Sequence, residues 1–250
     1  MTHPSHQLQP GLYGKLPSNG DFVSRRLPTT FVEPWDRWLQ ESIADSRDQL
    51  GERWLDTYLT SPVWRFVLAP GAAGQSAWAG LLMPSVDRVG RYFPLTLACP
   101  LPATGNPLGV LASAAAWYDA AETLLLTCLE QDLALADFDQ QITALGPPPN
   151  PPRSNALGPG QSAARRLPLP ADLTVLCPSL LHQTLGELFF AYSLWWSNGS
   201  EVVEPSVLLC QGLPPSAGFA GMLTGEWDQW GWEQTPAGPI GDVFPGPQGS

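Results

Sequence analysis

The stretch VWRFVLAPGAAGQSAWAGLLMPSVDRVGRYFPLTLACPL, residues 63–101, contains three apolar runs separated by turn-forming residues. The runs cover 63–68, 77–83 and 93–101, and their leucine, aromatic and β-branched side chains favour three consecutive strands. The glycine-rich piece 71–76 lacks the lysine of a phosphate-binding loop, so it is predicted to be a turn.

Helices are predicted on both sides of these strands along the chain. Apolar residues recur at helical spacing from Phe31 to Leu50, with Thr30 as the N-cap, and again from Leu108 to Leu133. The remaining predicted elements are helices over 52–59, 135–145 and 179–187, strands over 11–16, 192–196 and 205–210, and a strand or loop over 173–176. This alternation predicts an α/β layered domain with a mixed sheet.

Composition indicates a globular, acidic protein. The 250 residues are 44% hydrophobic, with 11 Trp and 9 Phe, enough to build a core. Twelve Lys and Arg against 23 Asp and Glu give a net charge of −11, which argues against nucleic-acid binding and disfavours docking on anionic lipid. Residues 101–250 hold 14 acids and only three bases. This acidic half is either a surface selected for solubility or a face that attracts a basic partner.

Segment 146–170 holds those three bases, Arg153, Arg165 and Arg166, with eight Pro and three Gly. It is predicted to be an exposed loop or mobile insertion. No apolar run marks the start of the chain as a signal peptide, and the four cysteines lack metal or redox spacing. We therefore expect a cytoplasmic protein with reduced, buried thiols.

The residues offer no candidate for catalysis. His182 is the only histidine outside the N-terminal region, no G-x-S-x-G elbow occurs, and no metal-binding or dinucleotide motif is present. His182 falls in a predicted helix, where a packed or solvent-facing role is favoured over a catalytic one. The sequence predicts no catalytic residue, no metal site and no cofactor.

Tryptophans are the more informative residues. Trp195 and Trp196 are consecutive on a predicted strand, so their side chains should point to opposite faces and leave at least one available to pack a helix or a partner. Trp227, Trp230 and Trp232 lie among acids in a Gly/Pro-rich tail over 226–250. The tail is either a docking peptide for a partner or a segment that covers an apolar groove of its own domain.

Several motifs in one order resemble the TagF family of type VI secretion-associated regulators. The matching pieces are Leu12-Tyr13-Gly14-Lys15-Leu16-Pro17, Gly20-Asp21-Phe22-Val23, Trp35-Asp36, Trp38-Leu39, the run from Ser85 to Leu95, and Ser193-Leu194-Trp195-Trp196. They fall between about residues 11 and 225, so the resemblance covers most of the chain and excludes the Pro-rich segment and the Trp tail. It implies one TagF-like domain over 1–225, folded as a three-layer α/β/α sandwich.

The resemblance also implies a function. A protein of this kind is expected to be a non-enzymatic, post-translational repressor of type VI secretion that binds or sequesters a cytoplasmic forkhead-associated scaffold protein. Within the matched motif, Arg91 is either a surface anchor for a partner carboxylate or part of a buried pair with Asp87 or Asp21. Arg91, Trp196 and the three tail tryptophans are the candidate protein-binding residues. The alternatives are a hydrolase that uses scattered carboxylates, and a structural subunit of a stable assembly.

Overall fold

The computed structural model describes residues 8–130, 133–150 and 173–234, and its described strands form one seven-stranded sheet. The strands are β1 (Gly11–Gly14), β2 (Val23–Arg25), β3 (Trp64–Leu68), β4 (Trp78–Met83), β5 (Leu95–Pro100), β6 (Tyr192–Ser197) and β7 (Ser206–Gln211). Their order across the sheet is β2-β1-β5-β4-β3-β6-β7, so β2 and β7 are the edges.

Every strand pairing in this sheet is antiparallel, so the prediction of a mixed sheet is wrong. Alternating strands and helices predict parallel pairing only when a helical connection returns the chain to a neighbouring strand. Here the strands on either side of each helical block, β2 with β3 and β5 with β6, are not neighbours. The central strands β3, β4 and β5 follow one another directly, as the apolar runs predicted.

Helices occupy the longer connections. They are α1 (Thr29–Leu50), α2 (Trp54–Thr60), α3 (Val110–Ser113), α4 (Ala115–Glu130), α5 (Leu135–Leu145), α6 (Leu173–Leu188) and α7 (Phe219–Thr224). In the described part of the chain, none of these helices is long and apolar enough to cross a membrane.

Helix α1 starts earlier than predicted. Pro28 is its N-cap, and the Pro28 carbonyl accepts from the amides of Phe31 and Val32 at 2.9 and 3.0 Å. Thr30 therefore lies inside the first turn, and its prediction as N-cap is wrong. Proline supplies the extended backbone and the free carbonyl that start a helix without a side-chain cap.

Two further boundaries differ from the sequence prediction. The predicted helix over 108–133 is divided at Ala114, whose backbone leaves the helical region between α3 and α4. Residues 173–176, predicted as strand or loop, begin α6, which continues through Pro178. A one-residue break hardly disturbs apolar periodicity, and an internal proline removes only one amide donor, so local patterns misjudge both places.

Alternate side chains along the strands enter two apolar clusters. In β3, Trp64, Phe66 and Leu68 join a first cluster that contains side chains of α1, α2 and α7. Val67 joins a second cluster with side chains of α4 and α5. This period of two follows from the pleat of a strand. The α/β class is confirmed, and the three-layer sandwich and the single domain over 1–225 stay predictions.

Candidate protein-binding surface

The two consecutive tryptophans of β6 separate as predicted. Trp195 is fully buried in the first cluster and stacks on Trp35, with ring centroids 5.9 Å apart. Trp196 is half-buried beside the second cluster, where its ring meets Tyr118 edge-on at 4.8 Å. Trp195 therefore belongs to the core, and Trp196 presents part of its ring to solvent.

Trp196 forms part of an open groove of about 420 Å³, which we call the Trp196 groove. Side chains of α3, α4, β3, β6 and β7 line it. They are Arg65, Val110, Leu111, Ala115, Tyr118, Leu194, Trp196 and Val207. The Tyr118 hydroxyl donates to the backbone carbonyl of Phe66 at 2.9 Å, so its polar end is occupied inside the protein. Apart from Arg65, the wall of the groove is therefore apolar, as in pockets that bind partner side chains.

Arg65, the charged residue of the groove, is held by two carboxylates. Its Nε donates to Glu122 at 2.8 Å, and a terminal nitrogen donates to Asp119, also at 2.8 Å. The Arg65 side chain is only 9% exposed, whereas Asp119 is 67% exposed. Two carboxylates around one guanidinium leave a net charge of −1, so the rim of the groove is acidic.

The apolar surface continues from the groove along the edge strand β7. Val207 and Leu209 are 69% and 45% exposed, although both are large apolar side chains on a strand. At the opposite edge, β2 is only three residues long and ends in Arg25. A short, charged edge strand resists further pairing, and a longer apolar one does not. Among the residues that the structure describes, β7 is therefore an unpaired apolar edge beside the Trp196 groove.

Arg91 does not line the Trp196 groove, and it forms an ion pair with Asp87, the partner that one prediction named. Its Nε donates to Asp87 Oδ2 at 2.7 Å, and a terminal nitrogen donates to the Gly20 carbonyl. The Asp87 carboxylate is fully buried, while the Arg91 side chain is 57% exposed. Arg91 thus closes a buried network from its outer side, and its role in binding a partner stays a prediction.

Asp87 is the centre of that network. Besides Arg91, it accepts from Lys15 Nζ at 2.8 Å and from the backbone amides of Val89 and Arg91 at 3.0 and 2.9 Å. Burial by itself raises the pKa of Asp87, but these four donors outweigh burial and hold its pKa well below the ordinary value. The carboxylate therefore stays ionised and ties the loop after β4 to the residues that follow β1.

The tail tryptophans pack on their own fold within the described part of the tail. Trp227, Trp230 and Trp232 are partly buried against the first cluster. Trp232 Nε1 donates to the Gly218 carbonyl at 2.7 Å, and the Trp227 ring meets Trp64 and Trp232 edge-on. The segment up to residue 234 thus behaves as the covering segment that one prediction described. A partner role for these tryptophans stays a prediction, and residues 235–250 lie outside the described residues.

His182, the histidine weighed for catalysis, has a side-chain partner. Its Nδ1 lies 2.7 Å from the Tyr192 hydroxyl.

The cysteines were expected to be buried. Cys99 and Cys210 are buried, and burial raises the pKa of each thiol to about 12. Cys177 is exposed, contrary to this expectation. Among the described residues, no three His, Cys, Asp or Glu side chains come together as metal ligands. Residues 151–170 of the Pro-rich segment lie outside the described part of the chain.

Comparison with known proteins identifies the family. The model of the TagF N-terminal domain, described as type VI secretion system-associated, matches residues 11–145. The chain belongs to the TagF family. The crystal structure of PA0076 from Pseudomonas aeruginosa PAO1 is similar, with 42% sequence identity and a TM-score of 0.78. That similarity covers 92% of this chain and 99% of PA0076. No curated protein matches the sequence significantly.

The fold brings residues from three of the TagF motifs together. Lys15 belongs to the first motif, Gly20 to the second, and Asp87 and Arg91 to the run from Ser85 to Leu95, and these four residues make one hydrogen-bonded network. Sequence reasoning identified the Asp87–Arg91 pair as one alternative. It missed Lys15–Asp87, because 72 residues separate the partners.

Sequence reasoning identified Trp196 but missed the residues around it. These are Val207 of the groove, Leu209 of the adjoining edge strand, and the ion pairs of Arg65. A usable signal was present for β7, because Val207 and Leu209 alternate along the last predicted strand. Nothing in the sequence showed that this strand lies at an edge, since strand order depends on tertiary pairing.

Proposed function

We propose that this TagF-family protein is a non-enzymatic, cytoplasmic, post-translational repressor of type VI secretion that binds a forkhead-associated scaffold protein. The association of the family with type VI secretion supports the part of this proposal that places the protein in that secretion system. The observation that carries the binding role is the exposed apolar surface formed by the Trp196 groove and β7. Exposed apolar surface of this kind marks protein interaction sites, because burying it against a partner is favourable.

Binding at this surface requires little rearrangement of the protein. Trp196 is anchored by Tyr118, and Tyr118 is fixed by its bond to Phe66. A partner side chain that enters the groove therefore meets a rigid aromatic wall, which lowers the entropic cost of association. Sequestration of the scaffold by this surface would keep the secretion apparatus from assembling.

The test measures capture and repression together. The purified protein should bind the purified scaffold at moderate salt, and its overproduction should suppress secretion without lowering the amounts of the apparatus proteins. Val207→Ser removes an exposed apolar contact of the groove and should weaken both effects. Leu59→Ser is the matched control, because Leu59 is 48% exposed on α2, whose buried side chains face the other cluster.

Each result bears on one class of function. Loss of capture and repression in Val207→Ser, with both retained in Leu59→Ser, supports the proposal. Absence of scaffold binding by the unaltered protein overturns it. Turnover of a small compound by the purified chain favours the hydrolase alternative, and co-purification in a permanent assembly favours the structural-subunit alternative.

A further inference from the structure

The backbone of β7 has hydrogen-bonding groups that face away from the sheet. The Gly212 amide donates to the Ala191 carbonyl across the β6–β7 pair at 2.9 Å. Residues in an antiparallel pair alternate between those that bond the partner strand and those that face outward. In the register that pairs Ser193 with Cys210, the outward amides and carbonyls are those of Val207, Leu209 and Gln211.

These outward groups coincide with the exposed apolar side chains. Val207 and Leu209 present side chains on the face of the Trp196 groove and backbone donors and acceptors at the edge. Successive outward amides on a strand are about 6.8 Å apart, which is the spacing that another extended chain matches. A partner strand would therefore gain main-chain hydrogen bonds at the edge and apolar contacts on the groove face, as in strand addition.

The charge around this edge selects the partner. Glu201 and Glu204 are exposed in the loop that leads into β7, and Asp119 is exposed at the groove rim. From residue 101 onward, the described part of the chain contains no lysine or arginine. A second copy of this chain, with its own net charge of −11, would meet like charge here.

We infer that β7 and the Trp196 groove bind an extended segment of the scaffold that carries alternating apolar residues and flanking Lys or Arg, and that this segment pairs with β7 as an eighth strand. The inference rests on the proposed function for the identity of the partner. The strand-addition geometry itself rests on the outward backbone groups, the exposed Val207 and Leu209, and the acidic rim.

The test is residue-resolved amide hydrogen exchange on the full protein, free and with the purified scaffold. Amides of Val207, Leu209 and Gln211 should exchange quickly in the free protein and become at least tenfold slower in the complex. Amides of Ser206, Leu208 and Cys210, which face β6, should change little. This alternation is the signature of an added strand, because simple burial of the surface would protect neighbouring amides alike.

A pair of substitutions separates backbone pairing from side-chain burial. Leu209→Ala shortens the side chain and keeps the outward amide, and Leu209→Pro removes that amide without removing a bond to β6. Strand addition predicts that Leu209→Pro weakens scaffold binding at least tenfold more than Leu209→Ala does. Exchange on the unaltered protein still decides the inference if the proline variant does not fold.

The outcomes distinguish this inference from the proposed function. Scaffold binding without alternating protection in β7 overturns strand addition and leaves the proposed function intact. If the scaffold does not bind, the proposed function fails, and the peptide acetyl-KRVTVTVK-amide replaces the scaffold as the probe. Alternating protection by this peptide, absent with its counterpart in which Glu replaces Lys and Arg, supports the addition of a basic strand to β7 while the scaffold is rejected as its source, and no protection overturns strand addition as well. Concentration-dependent protection without any partner would assign the edge to a second copy and overturn the inference.

Discussion

At the scale of single residues, Asp87 fixes the geometry of the loop that carries the longest TagF motif. Asp87→Asn should lower the melting temperature at pH 7 by several degrees, because Lys15 loses its buried counter-charge and the four donors lose an anionic acceptor. Asp21→Asn is the matched control, since Asp21 is exposed in the same region.

The effect of Asp87→Asn should depend on pH. The pKa of Asp87 is lowered in the folded protein, so its stabilising contribution is fully present above the unfolded pKa of about 4 and declines progressively as the pH falls from there through the folded pKa. Thermal unfolding from pH 7 to pH 3 should therefore show a constant gap between the two proteins down to about pH 4 and a narrower gap at pH 3. A constant gap over this range would contradict an ionised Asp87.

Tyr118 makes a buried hydrogen bond, and its ring forms part of the wall of the Trp196 groove. Tyr118→Phe should lower the free energy of unfolding by about 1 kcal/mol, the ordinary value for one lost hydrogen bond, because the Phe66 carbonyl loses its tyrosine donor. The ring contact with Trp196 remains, so scaffold capture should change less than twofold. Urea unfolding and a binding titration measure the two quantities. Loss of capture without loss of stability would show that the hydroxyl itself contacts the partner.

At the scale of elements, the fit between α7 and the Trp tail is tight enough to be tested with one methyl group. A Cβ on Gly221 would lie 2.9 Å from the Trp232 ring and 3.3 Å from the Trp227 ring. Gly221→Ala should therefore destabilise the protein by about 1–2 kcal/mol, because the overpacking outweighs the better helix propensity of alanine.

The same substitution should reverse its effect when the tail tryptophan is absent. In a Trp232→Ala background, Gly221→Ala should be neutral or stabilise by up to about 1 kcal/mol, because the closest contact is gone and the Trp227 ring, 3.3 Å from the new Cβ, needs to move only slightly to accept it. Chemical unfolding of the four proteins in this cycle measures the coupling. If the two substitutions are simply additive, the tail does not pack on α7 in solution.

At the scale of the whole molecule, the uneven charge should govern how quickly a basic partner arrives. Raising the salt from 50 to 500 mM should lower the association rate constant for the scaffold about tenfold or more, because screening removes long-range attraction. Glu201→Gln with Glu204→Gln should reduce this salt dependence, whereas Glu33→Gln with Glu41→Gln changes the net charge equally on α1 and should have less effect. Stopped-flow measurements at several salt concentrations make the comparison, and equal effects of the two pairs would contradict an acidic docking edge.

Particular elements show where sequence patterns were sufficient. The runs 63–68, 77–83 and 93–101 correspond to β3, β4 and β5, and the helical spacing after Phe31 corresponds to α1. A strand repeats its orientation every two residues and a helix every three to four, so burial of one face leaves these periods in the sequence. The break at Ala114 and the start of α6 before Pro178 were missed, because each depends on contacts that local periodicity does not contain.

By itself, the sequence determined the α/β class, the family, the acidic second half and the opposite directions of Trp195 and Trp196, because composition and a period of two are properties of the chain alone. Only the tertiary structure decided that the sheet is antiparallel, that β7 is an edge, that Lys15 meets Asp87, and that Trp196 shares a groove with Val207. These features join residues tens of positions apart, and such pairings are selected by the packing of the whole core, which no local pattern records.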